Sequence, residues 1–300
     1  MKILLLGAKG QLGVELSKAL PQLGELITVT RNDIDLSNIN ALEKKINLIA
    51  PDLIVNSSAY TQVDKAENEK ALAKLINASV PEVLAKYSFQ NNSTLVHYST
   101  DYVFDGEKKT PYVESDEPNP QSVYGLTKLL GEELIVESGC KHLILRTSWL
   151  FSSHGQNFLT TILKLGFEKD ILKVVNDQFG TPTSCEWLAW TTVRLLKRYI
   201  DTDSCNNSRL NWGLYHVSHD GFINWHDYAQ FIINTAQVLN INKFKPATVL
   251  PVSTYEYKQL AKRPFRSILC SQKLDETILC KRENWSNFVE KEIKKYYLEF

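Results

Sequence analysis

The chain has 300 residues, its 34 Lys+Arg are balanced by 34 Asp+Glu, and 43% of it is hydrophobic against 23% charged. A neutral balance gives no electrostatic footprint for nucleic acid, and the hydrophobic share can fill one large domain or two modest ones. No stretch approaches the roughly 18 apolar residues of a membrane helix, and the opening MKILLLGAKG reads as a buried strand rather than a secretory leader.

In chain order the first half alternates. Strands are expected at 2–6, 25–29, 53–56, 94–99 and 142–146. Helices are expected at 11–20, 39–49, 122–137 and, as one or two pieces, within 68–88. Continuous apolar strands alternating with helices predict a parallel sheet covered on both faces, a doubly wound α/β fold of the Rossmann type. The second half is less regular. Helices are expected at 157–165, 185–199 and 225–239, with short strands at 172–175, 214–217 and 248–250. Segments 104–120 and 201–212 read as loops. The expected division is a NAD(P)-binding Rossmann domain at 1–150, with part of 176–200 packing back on it. Residues 151–300 are expected to form a smaller α/β domain. Five cysteines (Cys140, Cys185, Cys205, Cys270, Cys280) show no CxxC spacing and fit free thiols in a reducing cytoplasm. His216, His219 and His226 read as loop histidines without a metal.

The first turn is Gly7-Ala8-Lys9-Gly10-Gln11-Leu12-Gly13, a GxxGxxG between a strand and a helix. Glycines let the backbone approach a pyrophosphate, and the helix N-terminus supplies free N–H groups. The spacing is typical of extended short-chain dehydrogenases/reductases. After the second strand, Arg31 favours a 2′-phosphate, whereas Asp33 and Asp35 could hold a ribose hydroxyl. Small residues at the end of the third strand, Ser57, Ser58 and Ala59, would let a dinucleotide lie flat.

Tyr124 and Lys128 form a YxxxK that shares one helical face. A nearby ammonium would lower the phenol's pKa and make it a tuned proton donor. Thr100, at the end of the preceding strand, can converge with Tyr124 on one carbonyl oxygen.

The segments GAKGQLG, DLIVNSSAYTQVDKAE, LINA, HYSTDYVFDG, VYGLTKLLGE, LILRTSWLF, NDQFGTPT and KRPFRS occur in order from residue 7 to 267. Together they resemble the dTDP-4-dehydrorhamnose reductase family, whose members complete dTDP-L-rhamnose synthesis with NADPH or NADH. The resemblance implies that Tyr124 protonates the substrate's carbon-4 oxygen, that Thr100 holds it, and that Lys128 binds the nicotinamide ribose. Expected cofactor contacts are Gly7, Gly10, Gln11, Leu12, Gly13, Arg31, Asp35, Leu36, Ser58, Ala59 and Tyr60, together with Tyr124 and Lys128. Expected substrate contacts are Val63, Thr100, Tyr102, Trp149, Asn157 and, for the diphosphate, Arg263 with Lys262 and Arg266 as competitors. Core packing is the competing role for Trp149.

Some members of that family bind Mg²⁺ at a dimer interface through glutamates. Glu15 and Glu186 match two positions. At the third, Lys294 or Lys295 is expected, with Glu299 displaced. The expectation is therefore a monomer or weak homodimer without a metal. Alternatives are a 4,6-dehydratase or an epimerase, and a non-enzymatic module akin to the regulatory subunit of methionine adenosyltransferase. A dehydratase of this superfamily has Thr-Asp-Glu where this chain has Thr100-Asp101-Tyr102.

Overall fold

Lys2–Leu6 forms β1, and Ile3, Leu4, Leu5 and Leu6 are all buried. A strand buried on both faces needs helices above and below it. In the computed structural model, which describes residues 1–204, 212–239 and 247–298, the chain supplies them. α1 (Gln11–Ala19) and β2 (Glu25–Val29) follow, then α2 (Ile39–Ile49), β3 (Leu53–Asn56), α3 (Val63–Ala66) and α4 (Lys70–Lys74). A π-helical turn, Leu75–Ser79, leads into α5 (Val80–Gln90), β4 (Thr94–Thr100), α6 (Val123–Glu137) and β5 (Lys141–Thr147). The remainder is β6 (Leu150–Phe151), α7 (Phe158–Glu168), β7 (Ile171–Val175), β8 (Phe179–Gly180), β9 (Thr183–Ser184) and α8 (Cys185–Ser204). These are followed by β10 (Gly213–His216), β11 (Ile223–Asn224), α9 (Trp225–Val238), β12 (Thr248–Val252), α10 (Gln272–Ile278) and α11 (Ser286–Leu298).

Six parallel strands form the main sheet in the order β10-β5-β4-β3-β1-β2. Side chains alternate across it with period two. Ile3, Leu5, Val55, Val96, Leu143 and Leu145 meet α1 and α8 on one face. Leu4, Leu6, Ile54, Leu95 and Ile144 meet α2, α5 and α6 on the other. Each such aliphatic side chain contributes roughly 1.5–3 kcal/mol on burial. Local signals set the helix starts: the side chains of Asn38, Ser122 and Asn157 accept N–H groups at the heads of α2, α6 and α7.

The second lobe has its own core, where β7 and β12 pair in parallel beneath α7, α9 and α11. β10 nonetheless completes the main sheet, and α8 lies against α1, so the first lobe draws on residues beyond 150. Of the loop expected over 201–212, the first residues are helical, since α8 runs to Ser204, and 205–211 lie outside the described residues. Sequence patterning also missed α10 and the two-residue strands, which are too short to show a period.

Segment 104–120 is a loop, as expected, but an ordered one. Tyr112 stacks on Phe104, its hydroxyl accepts from Gly106 N and Lys108 N, and it donates to Asp105. Two of the three histidines are not loop residues: His216 ends β10 and His226 lies in α9, whereas His219 is in the loop after β10, as expected. His216 and His219 are buried, which pushes both down to about 3. Among the described residues no helix is long and apolar enough to cross a membrane.

Candidate active site at the carboxyl edge of the sheet

Gly7 sits at φ 82 directly after β1, and a Cβ there would stand 2.8 Å from Ser58 N. A Cβ on Gly13 would stand 2.0 Å from Gly7 O, so only glycine lets the turn close on itself and on the loop after β3. Gly10 precedes α1 without a side-chain cap, which leaves the helix's first N–H groups facing the turn. Gln11 Oε1 is buried and has no partner. This cradle, with free donors and an orphaned acceptor, fits a dinucleotide.

Asp33 is folded back onto Thr30, accepting its N at 2.8 Å and its Oγ1 at 2.7 Å. Asp35 accepts Ser37 N at 2.9 Å. Both carboxylates are engaged in turns that hold them below the ordinary range. Arg31 stands exposed beside them, the arrangement suited to a 2′-phosphate. Leu36 packs partly buried against the α2 side of the sheet. Ser58, Ala59 and Tyr60 line the end of β3, half-buried. Tyr60 is clamped there by Asn77, whose Oδ1 accepts Tyr60 N at 2.8 Å and whose Nδ2 donates to Tyr60 O at 3.1 Å.

At the end of β4, Thr100 is buried and its Oγ1 accepts Tyr102 N at 3.2 Å. Tyr124 lies in the first turn of α6. Burial pushes its phenol up to about 12; the Thr100 hydroxyl pulls it down and the Asp101 charge adds to the rise. Thr100 and Tyr124 therefore do converge. Lys128 does not act on the phenol as the YxxxK spacing predicts. Its Nζ turns inward to Tyr98 O at 2.6 Å and His97 Nε2 at 2.9 Å. A carbonyl and an imidazole inside the protein outcompete a phenol at its edge. Asp101 is more deeply engaged than its motif suggested. Its carboxylate accepts from Ser267 and from Thr100, and burial raises it to about 7.

Of the expected substrate residues, Tyr102 lies against these groups and Arg263 against Tyr102. Tyr102 meets Tyr124 edge-on, ring centroids 5.7 Å apart. Val63 opens α3, next to Asp64, and Asp64 takes Arg263 in a fork of 2.6 and 3.1 Å. Arg263 thus reaches the site already paired, and it also hydrogen-bonds Tyr102. Lys262 donates to Gln121, while the Arg266 guanidinium lies over the rings of Phe179 and Phe222. Trp149 has a left-handed backbone at φ 45 and stacks on Trp225 at 3.4 Å. The bare backbone of Gly180 lies against its indole. The side chain of Asn157 is committed to its helix: it caps Thr160 N and donates to Ser152 O and His154 O.

Residues 1–298 match the family model described as RmlD substrate binding domain. A dTDP-4-dehydrorhamnose reductase of Shigella flexneri is 38% identical over 99% of this chain and 98% of its own. This chain belongs to the dTDP-4-dehydrorhamnose reductase family. The solved structure of a Clostridium acetobutylicum member, 37% identical, superposes with a TM-score of 0.86 and covers both chains completely. A Bacillus anthracis member solved in complex with NADP is 33% identical, with a TM-score of 0.86 over 98% of this chain and 99% of that one.

The metal expected of some family members can be tested on the acidic residues. Glu15 and Glu292 both act on the buried thiol of Cys185, which precedes Glu186 in the chain. Glu292 of α11 is buried there, with Lys295 one turn further on, so a carboxylate does stand beside the lysines expected near the C-terminus. Glu299 lies outside the described residues. Lys295 Nζ bridges Glu186 at 3.0 Å and Glu292 at 2.8 Å. Lys291 also pairs with Glu186, and Lys18 with Glu15. Carboxylates already neutralised by ammonium groups do not fit a hard divalent ion, which wants several free oxygens. Among the described residues no group of three ligating side chains stands ready for a metal.

The sequence also gave no direct sign of Asn77, Asp64 or Ser267 as site-shaping residues. Asn77 lay within the LINA segment of the family resemblance. The partners of Asp64 and Ser267 are 199 and 166 residues away in the chain, beyond the reach of local pattern.

Proposed function

We propose that the chain reduces the 4-keto group of dTDP-4-dehydrorhamnose to give dTDP-L-rhamnose, using NADPH or NADH. The observation that carries this is the convergence of the Thr100 and Tyr124 hydroxyls at the carboxyl edge of the sheet, beside a glycine cradle that fits a dinucleotide. A bound nicotinamide supplies the hydride. Gly7, Gly10, Gln11, Leu12 and Gly13 would hold the pyrophosphate, Arg31 the 2′-phosphate, and Ser58, Ala59 and Tyr60 the adjoining face. The chain supplies the rest. Tyr124 donates a proton to the developing alkoxide, for which a high phenol pKa keeps the donor loaded at neutral pH. Thr100 steadies the same oxygen. Lys128, charged and released from His97, would hold the ribose and lower the phenol's pKa, so that its proton passes more readily to the alkoxide.

Val63, Tyr102 and Trp149 frame the sugar in this reading. Arg263, fixed by Asp64, braces Tyr102 and offers its remaining face to the diphosphate. Asn157 acts through the loop that it caps. The lobe around β1–β5, α8 and β10 serves the cofactor, and the remainder of 151–300 serves the nucleotide-sugar. We assign the protein to the cytoplasm, in keeping with the thiols of Cys140, Cys185, Cys270 and Cys280, and expect a monomer or weak homodimer, in keeping with the lysine-filled acidic cluster.

The test is nicotinamide oxidation by the purified chain when a dTDP-4-keto-6-deoxy sugar is supplied by its upstream enzymes. Oxidation with one dTDP-L-rhamnose formed per cofactor supports the assignment. Protein that retains NAD⁺ through purification and turns over without net oxidation would make it an epimerase instead. Silence with tight capture of a partner enzyme would make it a regulatory module.

A further inference from the structure

Lys128 is only 1% exposed, yet among the described residues no carboxylate is hydrogen-bonded to its amine. Tyr98 O lies 2.6 Å away and His97 Nε2 2.9 Å away. His97 is equally buried, and its Nδ1 is 3.1 Å from the side-chain nitrogen of Asn56. The orientation of that amide follows from its other end. Asn56 Oδ1 accepts Ser58 N at 3.2 Å and Ser58 Oγ at 2.5 Å, so the NH₂ group faces the imidazole. An NH₂ only donates, so Nδ1 accepts, and a neutral imidazole then carries its one proton on Nε2. That proton points at Lys128. An ammonium has three donors and no acceptor and would meet it donor to donor; an amine offers a lone pair and fits. Burial works in the same direction, bringing Lys128 down to about 8 and keeping His97 neutral.

We propose that His97 is a positioning residue for the reduction: its tautomer, fixed by Asn56 and through it by Ser58, couples the charge of Lys128 to the loop lining the cofactor cradle. Charging Lys128 requires Nε2 to accept. The Nε2 proton passes to Nζ, Nδ1 takes up one proton from solvent, and the ring stays neutral. The Nδ1 proton then faces the Asn56 NH₂, which must turn its carbonyl inward and give up both bonds to Ser58. A ligand that takes over the hydrogen bonds of Ser58 releases Asn56 to make that turn. Filling the cradle would then favour the ammonium that the YxxxK pair needs, and emptying it would favour the inward-held amine.

Other charged groups around Lys128 do not make this switch. Glu132, on its own helix, raises its pKa but is held by a fork from Arg146 of β5 and by Ser99. Tyr124 is neutral, Asp101 is turned toward Ser267 and Thr100, and Tyr98 bonds Thr192. Glu67 engages the Val123 N–H at the head of α6. Asp64, packed nearby on α3, is paired with Arg263. The lysines of α4 and Lys86 of α5 are solvent-exposed, and Glu82 pairs with Lys86.

The inference rests on the proposed role of Lys128 in reduction, so the test has two arms. In the first, ¹⁵N NMR of the imidazole in the cofactor-free protein reads the tautomer as pH is lowered through the Lys128 titration. The expected result is Nε2–H on the alkaline side and Nδ1–H once Lys128 is charged, with NADP⁺ driving the same exchange at fixed pH. A ring held as Nδ1–H throughout, or one that ignores the titration, overturns the coupling. In the second, Asn56→Asp gives Nδ1–H a carboxylate acceptor and leaves Nε2 free to accept from the ammonium. The alkaline limb of kcat/KM is expected to move up by roughly one unit or more. An exchange seen by NMR with an unmoved limb would uphold the coupling and remove Lys128 from the reduction. The NMR arm uses the native chain and stands whether or not that variant folds.

Discussion

At the scale of single residues, the placing of Thr100 at a strand end and of Tyr124 and Lys128 on the next helix was legible, because spacing relative to a strand end and a helix start is itself the geometry. What spacing could not show is where a long side chain goes. Lys128 chooses Tyr98 O and His97 over the phenol, and Arg263 chooses Asp64. Asp101 is the residue whose weight changed most. Its native carboxyl sits near 7, against an ordinary value of 3.8. The native chain therefore keeps a proton that the unfolded chain releases. The stability from this group is fully present below about pH 4 and is lost as pH rises toward about 7. Asp101→Asn should flatten that slope: between about pH 5 and about pH 8, its denaturant midpoint should fall less than that of the wild type. Equal slopes in the two proteins would show that Asp101 is ionised throughout this range.

At the scale of elements, most of the main-sheet strands and their helices could be read from hydrophobic period and caps. The π-helical turn Leu75–Ser79 could not, since one extra residue per turn leaves no sequence signature. It has a clear task. It brings Asn77 to Tyr60 and, at 3.2 Å, to Thr127 of α6, while Gly131 lets α6 come so close that a Cβ would sit 2.2 Å from Asn77 O. Asn77→Ala removes buried hydrogen bonds on both sides and should cost about 1–3 kcal/mol in chemical denaturation. It should also raise the dissociation constant for NADPH by loosening Tyr60. A stability loss with unchanged cofactor affinity would confine the turn to a packing role. Gly13→Ala should be more severe, because the added carbon meets a carbonyl oxygen rather than a movable side chain. Little or no protein retaining cofactor affinity is the expected outcome in a binding titration.

At the scale of the molecule, the two lobes meet at the candidate site. Asp101 with Ser267 and Asp64 with Arg263 cross between them, and Glu114 of the long loop accepts the N–H of His216. These ties joined residues too distant in sequence to be paired by eye, whereas the order of motifs along the chain was enough to indicate the family. The acidic cluster is the other whole-molecule feature, and Lys295 supplies the positive charge there. Sedimentation with and without EDTA should give the same distribution; a dimer that dissociates on chelation would show that a divalent ion displaces the lysine. The central claim, that Tyr124 delivers the proton in a nicotinamide-dependent keto-sugar reduction, has a more direct test. Tyr124→Phe should cut dTDP-4-keto-sugar-dependent NADPH oxidation on the order of a hundredfold or more while binding NADPH as the wild type does. Unchanged turnover in that variant would contradict the account.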